Sequence, residues 1–201
     1  MPNQPKKDLL LWKSFREGDD RAFYELYDQY SDALYSFGMQ FCKDSDFVKD
    51  CIHDLFLELH KYREQLRPTD SIQFYLFRTL KRIIHKQRLS MSLLKLDHKL
   101  EKTIRAHSPA CDETIIDSER QEEGMDLLAN AISQLTKVQQ RALFLKFEQD
   151  LNYTEIAVLL NISVESARTN MYRALKSLRK SLSKHEISLN LFVLLYSENQ
   201  L

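Results

Sequence analysis

Arg168, Thr169, Asn170 and Arg173 follow one another closely, with Glu165 and Ser166 just before them and Lys176 just after. These are the side chains that read nucleic-acid bases. Arginine can pair bidentately with guanine, asparagine with adenine, and serine or threonine with several base edges. Lys176, Arg179 and Lys180 lie further along and suit phosphates, which position a protein on DNA without specifying sequence. The surrounding stretch, "YTEIAVLLNISVESARTNMYRALKSLRK" (153–180), also contains the means to aim them. Asn152 followed by Glu155 makes a capping-box start. Ile156, Ala157, Leu159 and Leu160 face inward, and Ala157 is small enough to let two helices approach. Asn161 stands where the chain must turn, and asparagine tolerates the left-handed conformation better than most residues. Ser163 can cap the next helix, whose expected buried stripe is Val164, Ala167, Met171, Leu175 and Leu178. The spacing predicts a helix-turn-helix whose second helix offers its polar residues to a major groove.

The elements that must carry this motif read as helices throughout. The chain has 201 residues, 43% of them hydrophobic, with only 3 Gly and 4 Pro. Long stretches without breakers favour helices, and no strand alternation of useful length is present. A short helix is expected over 8–17. A long one follows Gly18-Asp19, with Ala22, Phe23, Leu26, Tyr27, Tyr30, Leu34, Phe37 and Phe41 recurring at three and four. A third helix, capped by Ser45 or Asp46, buries Val48, Ile52, Leu55, Phe56 and Leu59. Pro68-Thr69-Asp70 breaks it. The fourth spans about 71–89, with Phe74, Leu76, Phe77, Leu80, Ile83 and Ile84 inside and Arg78, Lys81, Arg82, Lys86 and Arg88 outside. From 90 to about 124 the periodicity fades into a charged linker, with at most a loose helix near 93–106. Periodicity returns at Met125, Leu128, Ala131, Ile132 and Leu135 and continues through Ala142, Leu143, Leu145 and Phe147. The fold class is all-α, with small helical domains at 1–90 and 125–185, a linker at 91–124 and an apolar tail at 186–201.

Charge is balanced overall, with 29 basic and 29 acidic residues, but it is blocked along the chain. Acids dominate 44–58 and 111–126, and bases dominate 72–105 and 164–185. Two basic faces fit two contacts with a polyanion, leaving the acidic blocks for protein or solvent. The amino-terminal residues show no signal-peptide core, and no apolar run reaches the roughly 18 residues of a membrane span. Three cysteines without CxxC spacing fit a reduced, cytoplasmic chain. Cys51, His53 and His60 do not match a familiar metal-ligand spacing, so no metal or other cofactor is expected. No phosphate-binding glycine loop, catalytic triad or nucleophile elbow is present, and Asp50 with Asp54 on one helix face suits docking better than acid–base catalysis. The chain is not expected to be an enzyme.

Two separate stretches point to one family. The segment from "QLTKVQQRALFLKF" to "MYRALKSLRKSL" resembles region four of the sigma-70 family of bacterial RNA polymerase sigma factors. "DFVKDCIHDLFLELHKYREQL" followed by "SIQFYLFRTLKRIIHKQRL" resembles region two. Order, linker and length are similar to the two-module extracytoplasmic-function (ECF) subgroup. The resemblance covers roughly 8–90 and 125–183.

The resemblance implies a promoter-specificity subunit that binds core RNA polymerase and reads promoter DNA. Its region two would dock on the clamp helices of the largest polymerase subunit through Asp50, Asp54, Leu55 and Glu58. Phe74, Tyr75, Arg78, Lys81, Arg82, His85 and Lys86 would recognise and help melt the −10 element, bases holding the strand and an aromatic or pocket taking a flipped base. Glu165, Ser166, Arg168, Thr169, Asn170, Arg173 and Lys176 would meet the −35 element, and region four would also touch the polymerase flap. An anti-sigma factor, often membrane-bound in the family, is an implied partner, and the apolar tail could serve it. This chain has His53 where the family often has Gln, His60 for Trp, Arg82 for a common Asn, and Asn161 for the turn Gly. Two other readings are a free-standing helix-turn-helix regulator and a helical adaptor that sequesters a sigma inhibitor. The melting-type helix argues against the first and the intact polar reading face against the second.

Overall fold

The computed structural model describes residues 4–97 and 127–182. Residues 98–126, which hold most of the expected 91–124 linker and Met125, and the apolar tail at 186–201 lie outside the described residues. The chain divides into two units, Met1–Ile104 and Arg105–Leu201. Every described element is helical, as the scarcity of breakers and the three–four periodicity require.

The first unit packs four helices: α1 (Gln4–Arg16), α2 (Asp20–Met39), α3 (Ser45–Tyr62) and α4 (Ile72–Asp97). Asp19 caps α2 by accepting from the Arg21 backbone N–H. The cap of α3 is Asp44, whose side chain accepts from Phe47 N–H; the expected caps Ser45 and Asp46 are already inside the first turn. A 3-10 turn (Arg63–Gln65) ends α3. Ser71 then opens α4, its hydroxyl accepting from Phe74 N–H at 3.2 Å. Helix α4 extends past the expected end at Leu89 to Asp97. Nothing between 90 and 97 is a glycine or proline, so a helix already nucleated propagates on the intrinsic preferences of Leu, Met and Lys.

The core of this unit is the set of buried stripes. Leu34 and Phe37 of α2, Val48, Cys51 and Leu55 of α3, and Leu76, Phe77 and Leu80 of α4 are fully enclosed. The Phe37 and Phe77 rings stack parallel with centroids 4.4 Å apart. Phe74 does not join the interior as expected; it is half-buried, and Ile72 takes the first core position of α4. At the end of α2, Gly38 lets α3 approach closely, because a Cβ there would lie 2.5 Å from Val48 Cγ1. Trp12 of α1 is buried, and its indole N–H donates to the Arg67 carbonyl at 2.9 Å. That bond ties α1 to the loop that launches α4.

The second unit begins with a helix at 127–133, α5, followed by α6 (Lys137–Leu143), α7 (Tyr153–Leu160) and α8 (Val164–Leu182). Thr136 and Gln139 form a capping box at α6. Gln140 reaches back to donate to the carbonyls of Ile132, Ser133 and Leu135, adding to the backbone bond that Ile132 accepts from Leu135 N–H at the end of α5. A π-turn over Phe144–Glu148 continues α6. Its wider turn allows Ala142, Leu143, Phe144 and Leu145, four consecutive residues, to be buried together, which regular α-periodicity would not.

Two substitutions test this packing. Gly38→Ala should cost about 1–3 kcal/mol in a urea titration, because the added methyl overlaps Val48. Asn161→Val should cost about 1–2 kcal/mol through its left-handed backbone, whereas Asn161→Gly should leave the midpoint nearly unchanged.

Candidate nucleic-acid interface

The helix-turn-helix forms from local rules. Asn152 caps α7 by accepting from Thr154 and Glu155 N–H groups, and Glu155 returns a carboxylate to Asn152 N–H at 2.9 Å. Helix α7 ends at Asn161, which is left-handed (φ 57°, ψ 47°). The next N–H, of Ile162, closes back on the Ala157 carbonyl at 3.0 Å. Ser163 caps α8, accepting from Ser166 N–H at 3.0 Å. These bonds fix the angle at which α8 leaves the turn.

Helix α8 buries Ala167, Met171, Ala174, Leu178 and Leu182. The expected stripe therefore shifts: Val164 and Leu175 sit at its half-buried edges, and Ala174 lies at its centre. Of the predicted reading residues, Glu165, Arg168, Thr169, Arg173 and Lys176 are exposed. Thr169, Lys176 and Arg173 recur at three and four, so they share one outward surface. Ser166 and Asn170 are turned to the flank. The Ser166 hydroxyl is engaged with Ser163 Oγ at 2.9 Å, and the Asn170 amide donates to the Ser166 carbonyl at 2.8 Å. Asn170 keeps its carbonyl oxygen and its second amide N–H to offer to a base edge. Two residues escaped the sequence reading. Tyr172 is 66% exposed in the middle of the outward face. Tyr153, at the start of α7, lies beneath Arg168, whose guanidinium carbon is 5.7 Å from the ring centroid. Tyr172 could have been found, since it lies four residues after Arg168 and off the apolar stripe. The Tyr153 contact crosses the turn and has no signal in local spacing.

The second basic face is on α4. Its buried side is Ile72, Leu76, Phe77, Leu80, Ile83 and Ile84. Arg78, Arg82, His85 and Lys86 are exposed on the opposite side, and Lys81 is half-exposed beside them. The two aromatic candidates differ. The Tyr75 ring packs edge-on against Trp12 at 5.2 Å, so it is bound into the module. Phe74 is half-buried and makes no ring contact among the described residues, leaving it the freer stacking surface.

The acidic candidates on α3 separate in the same way. Asp50 is exposed, and Asp54 and Glu58 are half-exposed. Leu55 is 0% exposed and cannot meet a partner without unfolding the helix face; its role is in the core. The apolar residue on the outward side is Leu57, 54% exposed. Leu57 lines a groove of about 320 Å³ between α3 and α4, together with Asp54, Glu58, Tyr62, Lys86 and Gln87. The α3 acids also touch α4. Glu58 accepts from Arg82 at 3.2 Å, and Asp54 accepts from the Gln87 amide. Gln87 in turn accepts from the Cys51 thiol at 3.0 Å, and burial, reinforced by Asp54, pushes that thiol up to about 11. Cys51 is therefore a protonated structural donor at neutral pH. Among the described residues no cluster of three metal-ligating side chains occurs, and no helix is long and apolar enough to cross a membrane.

Both halves of this arrangement have counterparts in known proteins. The family profile described as Sigma-70 region 2 matches residues 26–90, and that described as Sigma-70, region 4 matches residues 125–178. No curated protein matches the chain significantly. Among solved structures, CnrH, determined with the cytosolic domain of CnrY, is 17% identical with a TM-score of 0.54, covering 90% of this chain and 99% of its own. The sigma factor RpoE, determined with the anti-sigma factor NepR from Bartonella quintana, is 15% identical with a TM-score of 0.54, covering 80% of this chain and 96% of its own. At these identities the likeness is one of fold. The two region matches together take in more than half of the chain, in the order and with the separation of the two-module ECF form, and the chain belongs to the sigma-70 family of RNA polymerase sigma factors.

Proposed function

We propose that this chain directs promoter-specific initiation by an ECF-type division of labour between its two units, acting as a binding subunit with no catalysis of its own. The observation that carries the reading is the pairing of two basic helix faces, on α4 and α8, within matched regions 2 and 4. A free-standing helix-turn-helix regulator would need only the second.

The unit containing α8 reads the −35 element. Arg168 and Arg173 supply bidentate donors for base edges, and Thr169 and Tyr172 supply smaller or apolar contacts. Lys176 and the basic residues that follow engage phosphates. The unit containing α4 takes the −10 element. Arg78, Lys81, Arg82, His85 and Lys86 hold the separated strand, while Phe74 offers a face on which a base can stack. Asp50, Asp54 and Glu58, with Leu57 in place of the buried Leu55, form the docking surface for the clamp helices of core polymerase. Charge and exposure support that assignment: an acidic rim around one exposed leucine fits a basic, amphipathic partner. The flap is the contact proposed for the second unit. An anti-sigma factor is the proposed inhibitor, a reading supported by the solved complex of RpoE with NepR. A protein that works on the chromosome in this way operates in the bacterial cytoplasm.

Base readout and phosphate contact leave different signatures, and holoenzyme binding to promoter duplexes separates them. Arg173→Ala should cost about 1–3 kcal/mol on the preferred promoter and relax preference at one −35 position. Lys176→Ala should weaken all duplexes alike and lower the slope of log affinity against log salt by about one. Unchanged preference in both Arg168→Ala and Arg173→Ala would overturn the readout assignment.

A further inference from the structure

We infer that Tyr153 is a positioning residue for Arg168, a platform on the first helix of the motif that sets where the second helix delivers its leading guanidinium. The inference rests on the reading of α8 as the −35 helix and adds a residue to it. Arg168 is exposed and is the first arginine of α8. An arginine in that situation samples many rotamers, and each must be given up when a base is bound. Here the guanidinium sits over the Tyr153 ring, 5.7 Å from its centroid, within the range of a cation–π contact. The ring is itself well placed to hold still. Tyr153 is the first residue of α7, directly after the Asn152 cap, and is half-buried.

The kind of partner matters as much as its presence. A carboxylate would take up the N–H donors of Arg168 and leave fewer for guanine. An aromatic face attracts the cation through its π-system and leaves the in-plane donors available for O6 and N7. Pre-placing the side chain lowers the ordering cost at the moment of binding, which favours the correct base over the wrong one only where Arg168 makes its contact. A residue that merely packed α7 on α8 would instead affect all DNA alike.

The test uses the full chain bound to core polymerase, on a −35 duplex selected from randomised DNA and on its single-base variants. Tyr153→Leu keeps apolar bulk and removes the π-face; Tyr153→Phe keeps the face. Expected are a two- to five-fold loss of discrimination for Tyr153→Leu, of the order an exposed cation–π contact supplies, and none for Tyr153→Phe. The loss should fall at the position that Arg168→Ala abolishes and should vanish in the Arg168→Ala background. Equal weakening on every duplex, or a loss that persists without Arg168, would overturn the proposal and leave Tyr153 a packing residue. If neither Arg168→Ala nor Arg173→Ala changes any preference, the underlying −35 reading fails instead, whereas a preference lost in Arg173→Ala but not in Arg168→Ala overturns only the proposal, so the two failures are distinguishable. An independent readout needs no variant that must fold. In the unmodified chain the Arg168 Nε–H resonance should show an upfield ring-current shift, and a random-coil position would also overturn the proposal.

Discussion

Helices α2, α3, α4 and α8 each bury one apolar stripe, and that constraint places the proposed functional faces. Among the described residues no charged side chain is buried. Burying an unpaired charge costs far more than a surface position, so once the apolar stripe of a helix is fixed, its ionisable residues must take the remaining faces. On α4 the stripe is anchored by Phe77 stacked on Phe37 and by Leu76 and Leu80, all without exposure. Arg78, Lys81, Arg82, His85, Lys86 and Arg88 of α4 are thereby left toward the outer side. On α8 the small residues Ala167 and Ala174 bring the helix close to its neighbours, and the reading residues are left on the far side. The functional faces are the complements of the cores.

This logic explains what was legible in the sequence. Asn152, Glu155, Asn161 and Ser163 announced the motif because caps and left-handed turns depend on local chemistry, and each adopts the expected role. The apolar stripes were legible for the same reason. Errors arose where partners distant in sequence decide. Leu55 looked like a docking residue because it shares a helix with Asp54 and Glu58, but that helix packs on α2 and α4 and encloses it. Phe74 looked like core because it is aromatic at a helical spacing, yet Ile72 fills the space. The π-turn at Phe144–Glu148 shifted the register of buried residues, a change no three–four template contains. The end of α4 was set too early because fading amphipathicity was taken as loss of helix.

The α3–α4 contacts give the proposed docking and melting surfaces a physical connection. Glu58 holds Arg82 while both remain largely accessible. Such an exposed ion pair contributes only about 0–1 kcal/mol, so either partner can be exchanged for a stronger one at little cost. In the proposed account, polymerase takes the acid and a DNA strand takes the arginine. Gln87, bonded to both Asp54 and Cys51, holds the neighbouring turn from inside. Exchange at the rim is therefore compatible with a fixed core.

The measurement that bears most directly on this account is reconstituted transcription. Purified chain would be combined with core polymerase from its own host and genomic DNA, and the RNA 5′ ends mapped. The account predicts starts that appear only with the chain present and that share −35 and −10 elements at a constant spacing. Duplex binding by the chain alone, with no association with core polymerase and no new starts, would contradict it.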